Sequence, residues 1–200
     1  MSLLADHQIL KLCQDHEMIV PFFKESIKTM ETRNGIQKIL SKGVSSYGYD
    51  ITLSPEDLKI FVNTNAVLID PRKVDKEAYV QPLLKIDNDG LMYVVQPPNS
   101  VMLGHTREYF KMPRDVLATC LGKSTYARVG VSLLVTPLEP AWEGVLVVEI
   151  VNSTSSAVKI YVDQGIGQLL FFRAEEECTT SYADRGGKYQ GQKSTVDALV

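Results

Sequence analysis

The sequence predicts a mainly β protein in which short antiparallel strands form a sandwich, a jelly roll or a barrel. From Val44 onward, short runs of β-branched and aromatic residues recur at fairly regular spacing, separated by clusters of Gly, Pro, Asn and Asp. Many short strands with turn signals between them are typical of these all-β architectures. The chain has 200 residues, enough for a proper core, and we expect a single domain over residues 1–200.

The N-terminal segment, residues 1–43, is predicted to contain a short helix followed by irregular chain. Asp6 is a plausible N-cap, and apolar residues follow it at roughly helical spacing. Pro21 interrupts this pattern. Residues 24–42 are mixed and polar, which predicts a loop or a surface segment.

Eight runs in the remainder of the chain are predicted strands. They are YDITLS (49–54), AVLID (66–70), LMYVVQPP (91–98), SVMLGHTREYF (100–110), VSLLVTP (131–137), VLVVEIVN (145–152), AVKIYV (157–162) and QLLFFR (168–173). From about residue 182 to residue 200 the tail is rich in Gly, Gln and Lys and has no periodicity. We expect a flexible C-terminal arm there.

Charge and composition disfavour several classes of protein. The formal net charge is −3, whereas a surface dedicated to nucleic acid or to an anionic membrane is usually basic. Three widely spaced cysteines favour reduced thiols over a disulfide framework. The N-terminus lacks the pattern of a signal peptide, and no apolar run approaches the ~20 residues of a membrane helix. We therefore expect a cytoplasmic protein that binds neither nucleic acid nor membrane.

The run CLGKSTYARVG (120–130) contains Gly122-Lys123-Ser124-Thr125, the letters that end a nucleotide-binding P-loop. A P-loop also needs a glycine five residues before Gly122, where this chain has Leu117. A P-loop further belongs to a parallel βαβ unit, which this chain does not predict. The sequence therefore excludes a P-loop.

The same run still carries groups that suit an anion. Lys123 and Arg128 supply charged donors, Ser124 and Thr125 supply hydroxyls, and residues 124–128 are predicted to form one helical turn with free backbone N–H groups. The alternative is that the two cations are solvated surface charges and that Ser124 caps the turn.

The strand VLVVEIV places a carboxylate, Glu149, among apolar residues. Both faces of this strand are otherwise apolar, which predicts a central strand. A buried carboxylate is costly unless it is paired or has a raised pKa, and such groups are candidates for acid–base catalysis. The alternatives are a structural salt bridge, for example to Arg128, or a solvent-facing Glu.

Metal and hydrolase chemistry find little support in the sequence. His7, His16 and His105 are scattered, and none lies at ligand spacing from a Cys or a carboxylate. The zinc-deaminase signature and the G-x-S-x-G motif of serine hydrolases are both absent from the sequence. We expect three ordinary histidines and no metal site.

Four ordered motifs together resemble the dCTP deaminases of the trimeric dUTPase-like superfamily: GKSTYARVG, VTPLEPAWEGVLVVEIVN, GIGQLLFF and SYADRGGKYQGQ. The N-terminal runs LLADHQILKL, IVPF and SSYGYDITL extend the resemblance over most of the chain, except residues 24–43. The resemblance implies a distorted β-barrel or jelly-roll subunit in a homotrimer with active sites shared at subunit interfaces. It implies hydrolytic deamination of dCTP to dUTP and ammonia, which supplies dUTP and dUMP for thymidylate synthesis.

The resemblance also implies roles for individual residues. Glu149 would be the single catalytic carboxylate, Ser124 would help to hold the attacking water, and Arg128 would order the site from the neighbouring subunit. Magnesium would accompany the triphosphate as a counter-charge, and no zinc would be required. The other residues implied to bind substrate are Lys123, Thr125, Tyr126, Ala127, Val147, Val148, Gln168, Tyr182, Lys188 and Gln192.

Two departures from the family pattern leave alternatives open. The loop TPLEPAWEG (136–144) is shorter than in some members, has Glu139 before Pro140 and lacks the Arg that those members carry. Thr52 occupies a position that is often Arg. The dUTPase hairpin and the glycine-rich dUTPase tail are missing, which disfavours a pure dUTPase. A bifunctional enzyme that converts dCTP to dUMP remains an alternative, as does a non-catalytic nucleotide-binding homologue.

Overall fold

A computed structural model describes residues 1–62 and 68–198. In these ranges the chain has two α-helices, α1 (Asp6–His16) and α2 (Ser124–Ala127), and a 3-10 turn at Lys76–Ala78. The strands are β1 (Ser2–Leu3), β2 (Ile19–Val20), β3 (Ile27–Thr32), β4 (Gly35–Ser45), β5 (Gly48–Thr52), β6 (Lys59–Phe61), β7 (Tyr79–Val80), β8 (Lys85–Ile86), β9 (Met92–Gln96), β10 (Ser100–Lys111), β11 (Val116–Gly122), β12 (Val131–Leu134), β13 (Glu143–Asn152), β14 (Val158–Tyr161) and β15 (Gly165–Arg173).

The strands form three antiparallel sheets. One sheet has the order β1-β15-β5-β4-β3, with β11 also paired to β15, and a second has the order β12-β13-β10-β6-β7, with β2 also paired to β10. The third sheet is β14-β9-β8. The predicted mainly β fold of the jelly-roll type is confirmed, although the described sheets stay open and do not close into a barrel.

The core is formed by buried side chains of the two larger sheets and of α1. Tyr49, Phe110 and Phe171 are among the largest fully buried side chains. On α1, Ile9, Leu12 and Cys13 are buried, whereas Leu10 is only partly buried. The helix begins at Asp6 with Ala5 as the N-cap residue, so the predicted cap is wrong by one position. No helix in residues 1–62 or 68–198 has the length and apolar character needed to cross a bilayer.

The prediction of a loop for residues 24–42 is wrong, because this segment forms the hairpin β3–β4. Ile27 pairs with Lys42 at its base, and Thr32 pairs with Gly35 at its tip. Most of its side chains are partly or fully exposed, so the two strands lack the apolar alternation that marks a half-buried strand. The signal that could have found the hairpin is Asn34-Gly35, the dipeptide most typical of a tight hairpin turn.

Seven of the eight predicted strand runs contain observed strands. The exception is AVLID (66–70): residues 66 and 67 lie outside the described residues, and residues 68–70 do not form a strand. The sequence prediction also missed β11, which pairs with β15 along its whole length. Ala118 is fully buried in this strand, but alanine has little intrinsic preference for strands and gave no signal.

Residues 182–198 contain no helix or strand, and this part of the predicted arm is docked on the protein. Backbone hydrogen bonds join Gly191 N to Glu143 O at 2.8 Å and Val145 N to Gln192 O at 2.9 Å. Further along, Lys59 Nζ lies 2.8 Å from an Asp197 carboxylate oxygen. The structure therefore shows the tail attached to β13 and β6, and its flexibility stays a prediction.

Strand β10 contributes a carboxyl group that is completely buried, that of Glu108 (0% exposed). The Thr52 backbone N–H donates to its Oε2 at 3.0 Å, and the Tyr49 hydroxyl lies 3.4 Å from its Oε1. Burial raises the pKa of Glu108 from 4.5 to about 7, because the charged form loses its hydration. The neutral acid is therefore favoured in the folded protein at mildly acidic pH.

We expect Glu108→Gln to flatten the pH dependence of stability. A folded-state pKa above the unfolded value stabilises the fold at low pH, and this stabilisation is lost as the pH rises from 4.5 through about 7. The loss amounts to at most about 3 kcal/mol in the free energy of unfolding. Urea unfolding at pH 5 and pH 8, at one protein concentration, measures it. Glu31→Gln, on the exposed face of the hairpin, is the control. An equal change in the free energy of unfolding between pH 5 and pH 8 for wild type and Glu108→Gln would contradict the raised pKa of Glu108.

Candidate active site

Glu149 lies in the middle of β13, which is a central strand of its sheet as predicted. Its Cα is paired with Leu103 of β10 on one side and with Leu134 of β12 on the other. Neighbouring Val148 and Ile150 point into the core and are fully buried, whereas Glu149 is half-buried. Burial raises the pKa of the Glu149 carboxyl, which was one of the alternatives that the sequence left open.

Glu149 opens into a cavity of about 600 Å³, which we call the Glu149 cavity. Its other walls are Val147 on the same strand, the loop 136–139, Trp142, and the tail residues Tyr182 and Gln192. Among the described residues Glu149 forms no ion pair, so a salt bridge to Arg128 is not found within one chain. The carboxyl is therefore half-desolvated and faces a space large enough for a base and a sugar.

The tail forms one wall of the Glu149 cavity through specific hydrogen bonds. Gln192 Nε2 donates to Val145 O at 2.8 Å, and the Trp142 indole N–H donates to Tyr189 O at 3.1 Å. The Gln192 side-chain oxygen is buried and has no partner among the described residues. A buried acceptor without a donor is unfavourable, so a ligand donor at this position would stabilise it.

The edge of β13 has a gap beside Glu149. Strand β12 ends at Leu134, opposite Glu149, and the tail meets β13 from Glu143 to Val145. Backbone N–H and C=O groups of alternate residues point the same way in a strand, so Val147 points to the same side as Val145, into this gap. The resemblance implies that Val147 and Val148 bind the substrate. Of these two, Val147 has the backbone that is better placed to contact a ligand.

A second cavity, of about 810 Å³, lies at the end of β11 and the start of α2, and we call it the Lys123 cavity. Ser124, Thr125 and Gln168 line it together with Lys123. Lys123 Nζ lies 2.7 Å from an Asp50 carboxylate oxygen and 2.9 Å from Ser41 Oγ. The Lys123 and Asp50 side chains are only 12% and 8% exposed, so this ion pair forms the floor of the cavity.

The predicted helical turn is observed as α2 and is anchored by Tyr126. The Tyr126 ring is buried, and its hydroxyl accepts a hydrogen bond from Tyr161 N at 2.9 Å. Its side chain therefore acts as a packing anchor. Ser124, Ala127 and Arg128 are exposed around it, and Arg128 forms no ion pair with any residue that the structure describes.

One chain brings the predicted site residues together in two separate groups. The Glu149 cavity contains Glu149, Val147, Tyr182 and Gln192, and the Lys123 cavity contains Lys123, Ser124, Thr125 and Gln168. Lys188 lies in the docked tail, with its Nζ 5.1 Å from the centre of the Tyr189 ring. Within one chain, Ser124 does not line the cavity that contains Glu149. In residues 1–62 and 68–198, no group of three or more His, Cys, Asp or Glu is arranged to hold a metal ion.

The sequence profile of the dCTP deaminase-like family matches residues 4–174. The chain belongs to this family. Two relatives named dCTP deaminase match it over nearly their whole length. The protein of Francisella tularensis subsp. novicida is 47% identical over 192 residues, covering 96% of each chain. The protein of Pseudomonas savastanoi pv. phaseolicola is 45% identical over 196 residues, covering 98% of each chain.

A solved structure of 2'-deoxycytidine 5'-triphosphate deaminase from Agrobacterium tumefaciens is also similar. It matches with a TM-score of 0.47 and 19% identity, over 84% of this chain and 47% of that chain. The family profile and the two curated relatives confirm the resemblance to dCTP deaminases that the four sequence motifs indicated.

Some residues of this dCTP deaminase-like chain that line the two cavities were not assigned a site role from the sequence. Trp142 and Leu138 line the Glu149 cavity, and Lys28 and Lys38 of the β3–β4 hairpin line the Lys123 cavity. Trp142 is the only tryptophan in the chain and lies in the short loop that contains Pro140. A large aromatic residue in a short loop is a signal that could have indicated a buried anchor. The two lysines gave no such signal, because the hairpin itself was not predicted.

Proposed function

We propose that this member of the dCTP deaminase-like family hydrolyses dCTP to dUTP and ammonia, and so supplies dUTP and dUMP for thymidylate synthesis. The observation that carries the proposal is Glu149, a half-buried carboxyl with a raised pKa that opens from a central strand into a cavity. The two relatives described above are both named dCTP deaminase, which supports the same substrate.

Glu149 can move every proton that this reaction requires. Water attacks C4 of the cytosine ring, and the Glu149 carboxylate takes the proton that the water loses. The resulting carboxylic acid gives this proton to N3. The regenerated carboxylate then takes the proton of the new C4 hydroxyl and passes it to the amino group, which leaves as ammonia while the C4 carbonyl forms. A raised pKa makes the carboxylate a stronger base for the first step, while the acid formed remains able to donate in the later ones.

The remaining predicted residues have supporting roles in this proposal. Ser124 holds the attacking water, and the backbone of Val147, in the gap of β13, contacts the Watson–Crick edge of the base. Gln192 and Tyr182 contact the nucleotide from the tail. The residues implied to bind the triphosphate and the rest of the substrate are Lys123, Thr125, Tyr126, Ala127, Val148, Gln168 and Lys188.

We further propose a homotrimer whose active sites are shared between subunits. The support is the separation of the two groups of residues: Ser124 lies at the Lys123 cavity, whereas Glu149 lies at the other. Arg128 is exposed at the C-terminal end of α2 and has no ionic partner among the described residues, so it is available to a neighbouring subunit. Cyclic homotrimers place one surface of each subunit against a different surface of the next, as such a site requires.

Product analysis tests the proposed function. Incubation with dCTP, CTP and dUTP, followed by chromatography and an ammonia assay, is expected to give dUTP and ammonia from dCTP alone. Formation of dUMP and pyrophosphate would instead support a bifunctional enzyme. Binding of dCTP without any product would support a non-catalytic nucleotide-binding protein and would contradict the proposal.

Magnesium is proposed to arrive with the triphosphate as part of the substrate, and the chemistry is proposed to need no zinc. We therefore expect a zinc-selective chelator to leave the rate of ammonia release unchanged when magnesium is in excess. The rate is measured before and after exhaustive chelation and dialysis. Loss of turnover that added zinc restores would show that the reaction depends on a zinc ion.

A further inference from the structure

The β3–β4 hairpin, which the family resemblance left without a role, forms a wall of the Lys123 cavity. Lys28 and Thr29 line the cavity from β3, and Lys38 lines it from β4. Thr29 and Lys38 are directly opposite in the strand register, so the two lysines come from adjacent positions of the hairpin.

The base of the hairpin is fixed to the floor of the same cavity. Leu40 N donates to Gln164 Oε1 at 3.0 Å, and Ser41 Oγ donates to an Asp50 carboxylate oxygen at 2.8 Å. Lys42 Nζ donates to Asp163 O at 3.0 Å. These bonds hold the hairpin beside β5 and β15, and so they position its lysines over the cavity.

The charges that line the Lys123 cavity favour an anion. The Lys123 charge is compensated by Asp50 in the floor. Lys28 and Lys38 are exposed, and neither forms an ion pair with an acidic residue in the described parts of the chain. Asp50 is the one acidic residue among the residues that line this cavity. Two uncompensated positive charges therefore face a space that also presents the hydroxyls of Ser124 and Thr125.

We propose that Lys28 and Lys38 bind the phosphates of the nucleoside 5'-triphosphate and so determine how tightly it binds. This inference rests on the proposed function, in which Lys123 and Thr125 belong to the triphosphate segment. Since Asp50 already neutralises Lys123, a polyphosphate needs further cations, and these two lysines are the ones that the cavity offers. Ammonium groups bind phosphate as mobile point charges, which suits a chain of several phosphates.

The first test is the kinetics of the double variant Lys28→Ala/Lys38→Ala. We expect its KM for dCTP to rise by about 10- to 100-fold, as expected for two charge-assisted contacts, while kcat changes by less than about threefold. Increasing ionic strength should raise the KM of the wild type more than that of the variant, because salt screens the attraction between the lysines and the phosphates, which the variant lacks. Lys38→Arg, which keeps the charge, should retain most of the affinity.

Arg33→Ala is the matched control, because Arg33 lies exposed at the tip of the same hairpin but outside the Lys123 cavity. Its KM should match that of the wild type. An unchanged KM in the double variant, or an equal rise in the Arg33→Ala variant, would overturn the inference. A double variant that no longer assembles as the wild type does, by light scattering after gel filtration, would also overturn it, because the lysines would then serve a subunit contact.

The second test separates this inference from the proposed function. Inorganic tripolyphosphate binding is measured by titration calorimetry on wild type and on the double variant, so no turnover is needed. Weaker binding by the variant supports the lysine site even if the wild type fails to deaminate dCTP. Equal binding by both proteins overturns the lysine site even if deamination is confirmed.

Discussion

Glu149→Gln is expected to lower kcat for dCTP by about a thousand-fold, while binding of dCTP changes by less than about threefold. The amide keeps the shape of the side chain but can neither take a proton from water nor deliver one to the amino group. The half-buried position has no ionic partner among the described residues, so the neutral substitution should leave the fold intact. Ammonia release gives kcat, and calorimetry gives the affinity.

Glu143→Gln is the matched control for this experiment, because Glu143 belongs to the same strand but is exposed and does not line the Glu149 cavity. It should retain wild-type kcat. In the wild type, kcat/KM should rise with pH through the raised pKa of Glu149, since the reaction starts from the carboxylate. Wild-type turnover by Glu149→Gln would show that another group is the base.

Mixing two inactive variants is expected to restore activity if the site is shared. Arg128→Ala lacks the group supplied from one side of the interface, and Glu149→Gln lacks the group supplied from the other. In a randomly mixed cyclic trimer made from equal amounts, about one quarter of the interfaces combine an intact Arg128 with an intact Glu149. Ammonia release should therefore recover to about a quarter of the wild-type rate per site.

The mixing experiment needs denaturation and joint refolding, so that chains exchange between trimers. Each variant refolded alone is the control and should stay inactive. If the mixture remains as inactive as the separate variants while light scattering shows mixed trimers, both groups act within one subunit. The shared-site proposal would then be wrong.

The strand that carries Glu149 could be identified from the sequence because it shows two signals at once. Alternating apolar residues indicated a central strand, and Glu149 interrupted one of its faces. The structure places this strand between β10 and β12, with Val148 and Ile150 fully buried. A charged residue in a central strand is uncommon, which makes Glu149 a candidate for acid–base chemistry beside the structural alternatives.

The hairpin could not be found by the same reasoning. Its strands are largely exposed on both sides, so apolar and polar residues do not alternate along them as they do in a half-buried strand. The strands are set by the turn at Arg33-Asn34, which Gly35 follows, and by contacts of Ser41 and Leu40 with distant parts of the chain. Such long-range contacts depend on the tertiary fold, which local propensity does not encode.

The sequence indicated candidate residues for the site but not how the fold groups them in space. Motif resemblance indicated both Glu149 and Ser124, and the structure assigns them to different cavities of one chain. The contact of Trp142 with Tyr189 joins residues 47 positions apart and has no local signature. The neutralisation of Lys123 by Asp50 was likewise invisible in the sequence, because it joins the start of α2 to β5 across the fold.

The hydrogen bond from Trp142 to the tail gives the protein an internal optical reporter. Trp142 is the only tryptophan in the chain, so indole fluorescence from the whole protein originates at the wall of the Glu149 cavity. Its N–H is bonded to the backbone of Tyr189, and release of the tail would expose the ring to water and shift its emission to longer wavelength. Movement of the tail during a catalytic cycle can thus be followed by stopped-flow spectroscopy without attaching a dye.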